Sequence, residues 1–594
     1  MANEDKRIWT VFNGEIYNHA ALRRDLEALG HVFYSRADTE VLVHGYEAWG
    51  ARELAQRLQG IFAFAIYDQG ARRILLCRDR LGVKPLYWWC DGSALLFASE
   101  TKALLGHPAI SARRVNRRAV AQYVVTRYVS RPETFFEGIK RLPEGHFLEM
   151  ELSQGNTPLP KLYWDWQPRV QPITAIDACN ELDRLLTHTI DAQLMSDVPL
   201  GVQLSGGVDS SMVVAIMQSL RNKRSGRTPI KTFSVGFDEA GFSELEFARK
   251  VARRYGTEHH EITIGASEFF QNVARLCWYY DEPMGEPPAV PTYHMCKKAK
   301  QHVTVLLSGE GADEIFAGYS KYVFEQLLPI VEWLPVRQRN KALRAIASKI
   351  PVRGRRIRAI LERLSEYDPA RRYASWYGGF DTTSQGSLMT SSLQAEVGDG
   401  GIEEAFGSVL DACVASEELA RFQYCDLHTR LVDDILVKGD RMSMAAGIEV
   451  RVPYLDHPLA EFAARLPRRL RVDVLRSKVL LKRLAESYLP RDVIYRRKVG
   501  FTVPLARWFA GPLAEFLRAC LLSERALARN YCRPESVREI LDEHTSRRVD
   551  REQEIWLLLT LELWHRLFID EDGSEMAMER VNAEFNEEMQ CAQT

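Results

Sequence analysis

The sequence has no Cys-x-x-Cys pair, and its ten cysteines are scattered along 594 residues. That usage suits reduced thiols in a cytoplasmic protein and argues against a zinc site. No apolar run approaches about 20 residues, so no segment reads as crossing a bilayer. The start, Met1 to Arg7, lacks the apolar core of a secretory signal. Charge of neither sign dominates. The formal net charge is −1, which gives no reason to expect nucleic acid or membrane as the main partner. Internal repeats are absent as well. What is present is ordinary globular material, 46% hydrophobic and 26% charged, with length for about three or four domains.

The most informative stretch is Leu200-Gly201-Val202-Gln203-Leu204-Ser205-Gly206-Gly207-Val208-Asp209-Ser210-Ser211. An apolar run enters it and an apolar helical run, Met212 to Leu220, leaves it, which reads as strand, glycine turn, helix. Such a turn points backbone N–H groups and the positive end of a helix dipole at whatever lies in the loop. Gly206 and Gly207 remove side chains that would hold an anion off. Ser205, Ser210 and Ser211 add hydroxyl donors. A carboxylate beside an anion site repels the anion, so Asp209 makes sense if a divalent cation lies between them. The loop reads as a seat for pyrophosphate with magnesium. It lacks the Lys that follows the last glycine in kinase and GTPase phosphate loops.

Taken in order, residues 8–150 carry a short strand (Ile8 to Phe12), two helices (around Leu22, Leu26 and Leu29, closed by Gly30, and Val41 to Leu58), and then strand-like runs at Ile61–Tyr67, Arg73–Arg78, Leu86–Trp89, Leu95–Ala98 and Phe147–Leu152. Helices and mostly antiparallel strands in blocks predict a layered α+β sandwich. Residues 153–175, with Pro158, Pro160, Pro168 and Pro172, read as a linker. A helix from Ile176 to Met195 follows. Strands and helices then alternate: Val202–Leu204 and Ser210–Leu220, Lys231–Gly236 and Glu244–Tyr255, Glu261–Ile264 and Glu268–Tyr280, then Val303–Leu307. This predicts a parallel sheet with ligands at the carboxyl ends of its strands. The loop after Leu307, Ser308-Gly309-Glu310-Gly311-Ala312-Asp313-Glu314, repeats the logic of the first, with Asp313 the better metal candidate. Residues 320–420 read as helical, with Arg353, Arg355, Arg356, Arg358, Arg363, Arg371 and Arg372 forming a solvated face. Asp570 to Thr594 reads as a frayed or partly helical acidic tail.

Several motifs carry a resemblance. Ser-Gly-Gly-Val-Asp-Ser looks like the signature of ATP pyrophosphatases, which split ATP between its first and second phosphates. Asn13-Gly14-Glu15-Ile16-Tyr17-Asn18, Ala37-Asp38-Thr39-Glu40 and Arg78-Asp79-Arg80-Leu81-Gly82-Val83-Lys84-Pro85-Leu86-Tyr87 together resemble the glutaminase domain of class II, N-terminal-nucleophile amidotransferases. Ser308 to Glu314 with Phe316-Ala317-Gly318-Tyr319, Asp440-Arg441-Met442-Ser443-Met444, and Gly447 to Asp456 resemble the asparagine synthetase family. The resemblance runs in the family's order from Trp9 to about Trp508.

The resemblance implies a truncated amidotransferase domain over 1–152, the linker, an ATP-pyrophosphatase domain with helical additions over 176–570, and a tail over 571–594. It implies aspartate activation by ATP to β-aspartyl-AMP, followed by amidation with ammonia, from glutamine in a complete chain. By the same resemblance ATP contacts Leu204, Ser205, Gly206, Gly207, Asp209, Ser210, Val235, Ser308 and Gly309. Magnesium bridges Asp209 and Asp313, Lys478 stabilises the leaving pyrophosphate, and Glu310 takes a proton from the attacking ammonia. Asn13 and Gly14 supply oxyanion donors, while Glu15 and Asp38 hold the amino-acid end of glutamine. The segment Asp281 to Pro288 is expected to line the acceptor pocket and Arg496 to Pro504 to pack near the site. A homodimer is a family-level expectation.

One departure stands out. The family nucleophile is a cysteine at the mature N-terminus, whereas this chain has Ala2 and Asn3, and its first cysteine, Cys77, lies in an apolar run. Met1 to Asp5 looks like an internal family segment, so a truncated start and no glutaminase activity are expected. Two other classes of function stay open: a related adenylating amidotransferase or lactam or lasso-peptide cyclase acting on another carboxylate, and an inactive nucleotide-binding regulator.

Overall fold

The computed structural model describes residues 1–594 except 111–112, 154–156, 225–227, 240, 327–334, 351–354, 378–385, 398–400, 475, 497–499, 501 and 593–594. The amino-terminal part is a sandwich of two antiparallel sheets with helices on one outer face. Strands β1 (Ile8–Ile16), β2 (Gly60–Asp68), β3 (Arg73–Arg78), β7 (His146–Glu151) and β8 (Lys161–Leu162) form the first sheet in the order β1-β2-β3-β7-β8. Strands β4 (Tyr87–Cys90), β5 (Leu95–Ala98) and β6 (Lys140–Arg141) form the second, in the order β5-β4-β6. The alternation of β2 builds the layers. Phe62, Phe64 and Ile66 face the helices His19–Ala28 and Glu40–Arg57, in a core with Leu22, Leu26, Val43 and Leu54. Ala63 and Ala65 face the other way, against Trp88 of β4 and Leu86 and Leu142, which flank β4 and β6. The α+β sandwich expected from the strand blocks is therefore present.

Two boundaries differ from the sequence expectation. Strand β1, expected to end at Phe12, runs on through Asn13-Gly14-Glu15 to Ile16, paired with β2 along its whole length. Within 153–175, β8 pairs with β7, and Trp166 is buried with its indole N–H donating to Ala460 O at 2.8 Å.

The second part holds a five-stranded, all-parallel sheet in the order β11-β10-β9-β12-β13. Its strands are β9 (Leu200–Gln203), β10 (Lys231–Phe237), β11 (Glu258–Ile264), β12 (Val305–Leu307) and β13 (Glu449–Arg451). From β9 the chain moves outward through β10 and β11, then returns to place β12 on the other side of β9. The crevice between β9 and β12 is therefore a topological switch point, where open α/β sheets bind ligands. Strand β13 escaped the sequence reading because three residues between helices leave no periodicity to detect. Helix Glu552–His565, apolar on every side, is buried over Ile555–His565 and anchors a second helical core that includes Val120 and Val124 from the amino-terminal part.

The acidic end is ordered. Helix Glu575–Cys591 buries Ala577, Met578, Val581, Phe585 and Met589, and Arg566 pairs with Glu588 at 3.0 Å. Of the basic face expected over 320–420, Arg358 is exposed and pairs with Glu362 at 2.8 Å. Arg372 is buried instead, between Glu325 and Glu418. Arg353 and the side chains of Arg355 and Arg356 lie outside the described residues. No described helix is long and apolar enough to cross a membrane.

Candidate active site

The loops after β9 and β12 meet over the switch point. Helix Val208–Lys223 starts at Gly207 with no side-chain cap, so its first-turn N–H groups face the loop rather than a capping oxygen. Within the loop the Ser205 N–H donates to Ser210 Oγ at 3.2 Å, the two serine hydroxyls lie 3.0 Å apart, and the Gly207 N–H donates to Ser205 Oγ at 3.2 Å. Gly206 has φ +71°, and a Cβ there would come 2.5 Å from Ala248 N. Only glycine fits this turn against the neighbouring helix. Gly309 plays the same part in the second loop, where a Cβ would come 2.8 Å from Ser210 N.

A cavity of about 240 Å³ opens beside these loops. Leu204, Val235, Phe242, Leu245, Ala248 and Met295 make its apolar wall, while Ser205, Ser210, Ser308 and Gly309 lie on its polar side with Asp209, Asp313 and Glu310. Of the residues expected to touch ATP, all but Gly206 and Gly207 line this cavity.

Lys478 joins the two loops. Its Nζ lies 2.6 Å from Asp209 Oδ1 and 2.7 Å from Asp313 Oδ1. The side chain is 5% exposed. Burial alone would drive its pKa down, but the two carboxylates outweigh that and hold the ammonium well above the ordinary lysine range. Lys478 also adopts φ +54° at the start of helix Val479–Ala485, a costly conformation for a residue with a side chain. Gly318 makes room for the arrangement: a Cβ there would fall 1.9 Å from Asp313 Oδ1 and 2.2 Å from Lys478 Cε. Two carboxylate oxygens aimed at one cation are the kind of donor set a hard divalent ion takes. The ammonium stands where such an ion would be shared.

Glu310 lies farther along the cavity and pairs with Lys438 at 3.2 Å. Sequence reasoning missed Lys438; the signal available was one lysine in an otherwise apolar helical stretch, Leu436 to Gly439. Burial works against its charge, yet Glu310, Glu286 and Asp434 raise its pKa above the ordinary range. None of Asp281 to Pro288, expected to line the acceptor pocket, lines this cavity. Glu286 approaches Arg127 and Arg430 at 3.6 and 3.7 Å, and Asp281 pairs with Lys102 at 2.8 Å. Arg496 pairs with Glu244, which lines the cavity. Arg497, Lys498, Val499 and Phe501 lie outside the described residues.

The residues expected to bind glutamine are placed differently. Asn13 lines a separate cleft of about 220 Å³ with Phe12, Phe97 and Ser99, and its Nδ2 donates to Ser99 Oγ at 3.2 Å. Gly14, at φ +146°, sits so tightly on β2 that a Cβ would come 2.0 Å from Ile61 O. Glu15 does not line that cleft; it accepts from Arg451 Nη2 at 3.0 Å. Asp38 Oδ2 accepts the Ile16 N–H at 2.9 Å. Cys77 is fully buried, and burial pushes its thiol far above the ordinary range, which makes it inert as a nucleophile.

A sequence model of the asparagine synthase family matches residues 181–566, and one of a glutamine amidotransferase domain matches residues 1–164. Asparagine synthetase (glutamine-hydrolyzing) 1 of Bacillus subtilis is 32% identical over 572 residues, covering 96% of this chain and 87% of that relative. A putative asparagine synthetase (glutamine-hydrolyzing) of Mycobacterium tuberculosis is 33% identical, over 94% and 84%. An amidase of Penicillium rubens is 27% identical, over 88% and 81%. Similarity along nearly the whole length of several synthetases, together with two glycine loops joined over the switch point, establishes that the chain belongs to the asparagine synthase family.

Proposed function

We propose that this chain makes asparagine from aspartate and ammonia at the expense of ATP. The observation that carries the reading is the convergence of Asp209, Asp313 and Lys478 beside one cavity that has an apolar wall and a polar rim. The apolar wall around Leu204 and Val235 suits an adenine. The two glycine loops suit the phosphates, with their serines and the uncapped helix start as donors. The aspartate side-chain carboxylate attacks the α-phosphorus and expels pyrophosphate, leaving β-aspartyl-AMP. Ammonia then attacks the acyl carbon and AMP departs. Asp209 and Asp313 would hold magnesium, which supplies charge neutralisation on the phosphates when bound. Lys478, on a flexible stem, is the protein's own cation for the leaving pyrophosphate. Glu310, oriented by Lys438, takes the proton that the incoming ammonia must shed.

The amino-terminal part supports a narrower expectation. Ammonia is the expected nitrogen donor, since Cys77, the first cysteine among residues 1–594, is buried and unsuited to attack glutamine. The decisive experiment is pyrophosphate release from ATP across a panel of carboxylic acids, with ammonium chloride or glutamine as nitrogen source. Release that depends on aspartate and ammonium is expected. Release that depends on a different acid would replace the substrate, and release with glutamine alone would overturn the expectation for the amino-terminal part.

A further inference from the structure

A second gathering of ionisable groups lies away from the cavity, on the helix layer of the amino-terminal sandwich. His44, in helix Glu40–Arg57, is 0% exposed, yet neither of its ring nitrogens makes a hydrogen bond. Carboxylates face both. Glu4 Oε2 stands 3.5 Å from Nδ1, and Glu40 Oε1 stands 3.5 Å from Nε2. A neutral imidazole carries one N–H, so it can serve only one of two carboxylates. A buried polar group left in this state needs an explanation.

The surroundings supply one. His31 follows the turn at Gly30, its ring centroid 5.2 Å from that of His44 and its Nδ1 3.9 Å from Glu47 Oε2. Glu47 lies three residues after His44 and so shares its helix face. One donor atom from each of Glu4, His31, His44 and Glu47 lies within 4.8 Å of the others. Ligands bound tetrahedrally at about 2.0–2.1 Å stand roughly 3.3 Å apart, so side-chain rotation alone brings this set to a metal. Glu40 completes the picture. The Tyr34 and Ser35 N–H groups donate to it at 2.7 and 2.8 Å, which leaves its carboxylate aimed at His44 Nε2. A metal-bound histidine usually donates its other N–H to such a fixed carboxylate.

We propose that Glu4, His31, His44 and Glu47 form a zinc site, with Glu40 as the outer carboxylate that orients His44. Two imidazoles and two carboxylates without thiolate suit zinc among the divalent ions. The scarcity of paired cysteines, which argued against zinc in the sequence, does not bear on a cysteine-free donor set. The site ties three segments together: the first residues, the loop at His31, and the long helix. A cleft of about 400 Å³ adjoins the site at Glu47, but Glu4, His31 and His44 do not line it, so the role assigned to the ion is structural. A second cluster, Glu258, His260 and His302, has His260 Nε2 already bonded to Glu258 at 2.9 Å and serves as the control.

The test uses the full chain after chelator treatment, titrated with zinc against a chromophoric chelator. One equivalent is expected, lost in His31→Gln and His44→Gln, weakened at least tenfold in the exposed Glu4→Gln, and unchanged in His260→Gln. Bound zinc should also raise the melting temperature of the wild type and not of His31→Gln. In the wild type, cobalt should give the visible bands of a four-coordinate site without thiolate charge transfer, a readout independent of whether any variant folds. No stoichiometric binding, binding retained in Glu4→Gln and both histidine variants, or a thiolate or six-coordinate cobalt spectrum overturns the proposal.

Discussion

At the carboxyl edge of the parallel sheet, Asp209 and Asp313 converge on one ammonium. In the amino-terminal part, Glu15 of β1 and Asp38 before helix Glu40–Arg57 are held by separate partners, the Arg451 guanidinium and the Ile16 N–H. The two cations differ as much as the carboxylates do. Apart from the two carboxylates, no charged partner fixes the Lys478 ammonium among the described residues, and a single-point ammonium on a four-carbon stem can trade such partners. Arg451 is bolted in place. Its Nη1 donates to Gln193 O and Met195 O at 2.8 and 2.6 Å, and its Nε donates to Glu449 at 2.7 Å. The backbone of the same residue accepts the Ser308 N–H at 2.9 Å. One region therefore keeps its charges neutralised by a group that can be exchanged for a ligand. The other spends a carboxylate on fixing two parts of the molecule to each other.

Breaking the first arrangement should have the largest effect. Lys478→Ala leaves two carboxylates facing each other without a cation and removes the ammonium proposed to meet the leaving pyrophosphate. Aspartate-dependent pyrophosphate release should fall about 10³-fold, and unchanged turnover would remove Lys478 from the reaction. Glu310→Gln should separate the two half-reactions. Exchange of pyrophosphate into ATP should persist while amide formation falls about 10²-fold. Equal loss of both would assign Glu310 to adenylation instead.

The same contrast shows why one region was more legible than the other. Loops rich in glycine, serine and acid announce themselves by composition, because close backbone approach and anion seating need those residue types. Asp209, Asp313, Ser205 and Ser308 were found that way, and the cavity gathers them. Lys478 was identified by resemblance, since nothing in Ser477-Lys478-Val479 distinguishes it from a solvated lysine. Its φ of +54° and the gap left by Gly318 exist only in the fold. Lys438 and strand β13 were invisible for a related reason: a single charge and a three-residue strand acquire meaning from partners more than 100 residues away in sequence, Glu310 and β12. Of the two readings of the acidic tail, the helical one holds: Met578, Val581, Phe585 and Met589 are sparse along the chain, yet at helical spacing they fall on one face.

Two substitutions sharpen the second arrangement. Arg451→Met removes the donors to two buried carbonyls and two carboxylates at once, and should cost about 2 kcal/mol of stability by urea unfolding. An unaltered midpoint would mean that the joint between β13 and Glu15 contributes nothing.

The smallest effect is the most specific. Burial first, then the nearby Asp38, Glu449 and Asp197 carboxylates, push the Glu15 carboxyl from 4.5 to about 7; Arg451 opposes the shift but is shared with Glu449. Between those two values the folded chain still holds a proton that the unfolded chain has released. The folded state then binds more protons than the unfolded state, so the Glu15 contribution to stability falls as pH rises through that window. Glu15→Gln keeps the shape of the protonated carboxyl and cannot ionise. Its urea midpoint should match the wild type at pH 4, below the unfolded value, and exceed it at pH 8. Removing Arg451 takes away the main cation favouring ionised Glu15, so Arg451→Met should shift the wild-type decline to higher pH while leaving the Glu15→Gln profile without it. Parallel pH profiles for wild type and Glu15→Gln would show that Glu15 ionises as it does in water, and that the contact with Arg451 is an ordinary surface pair.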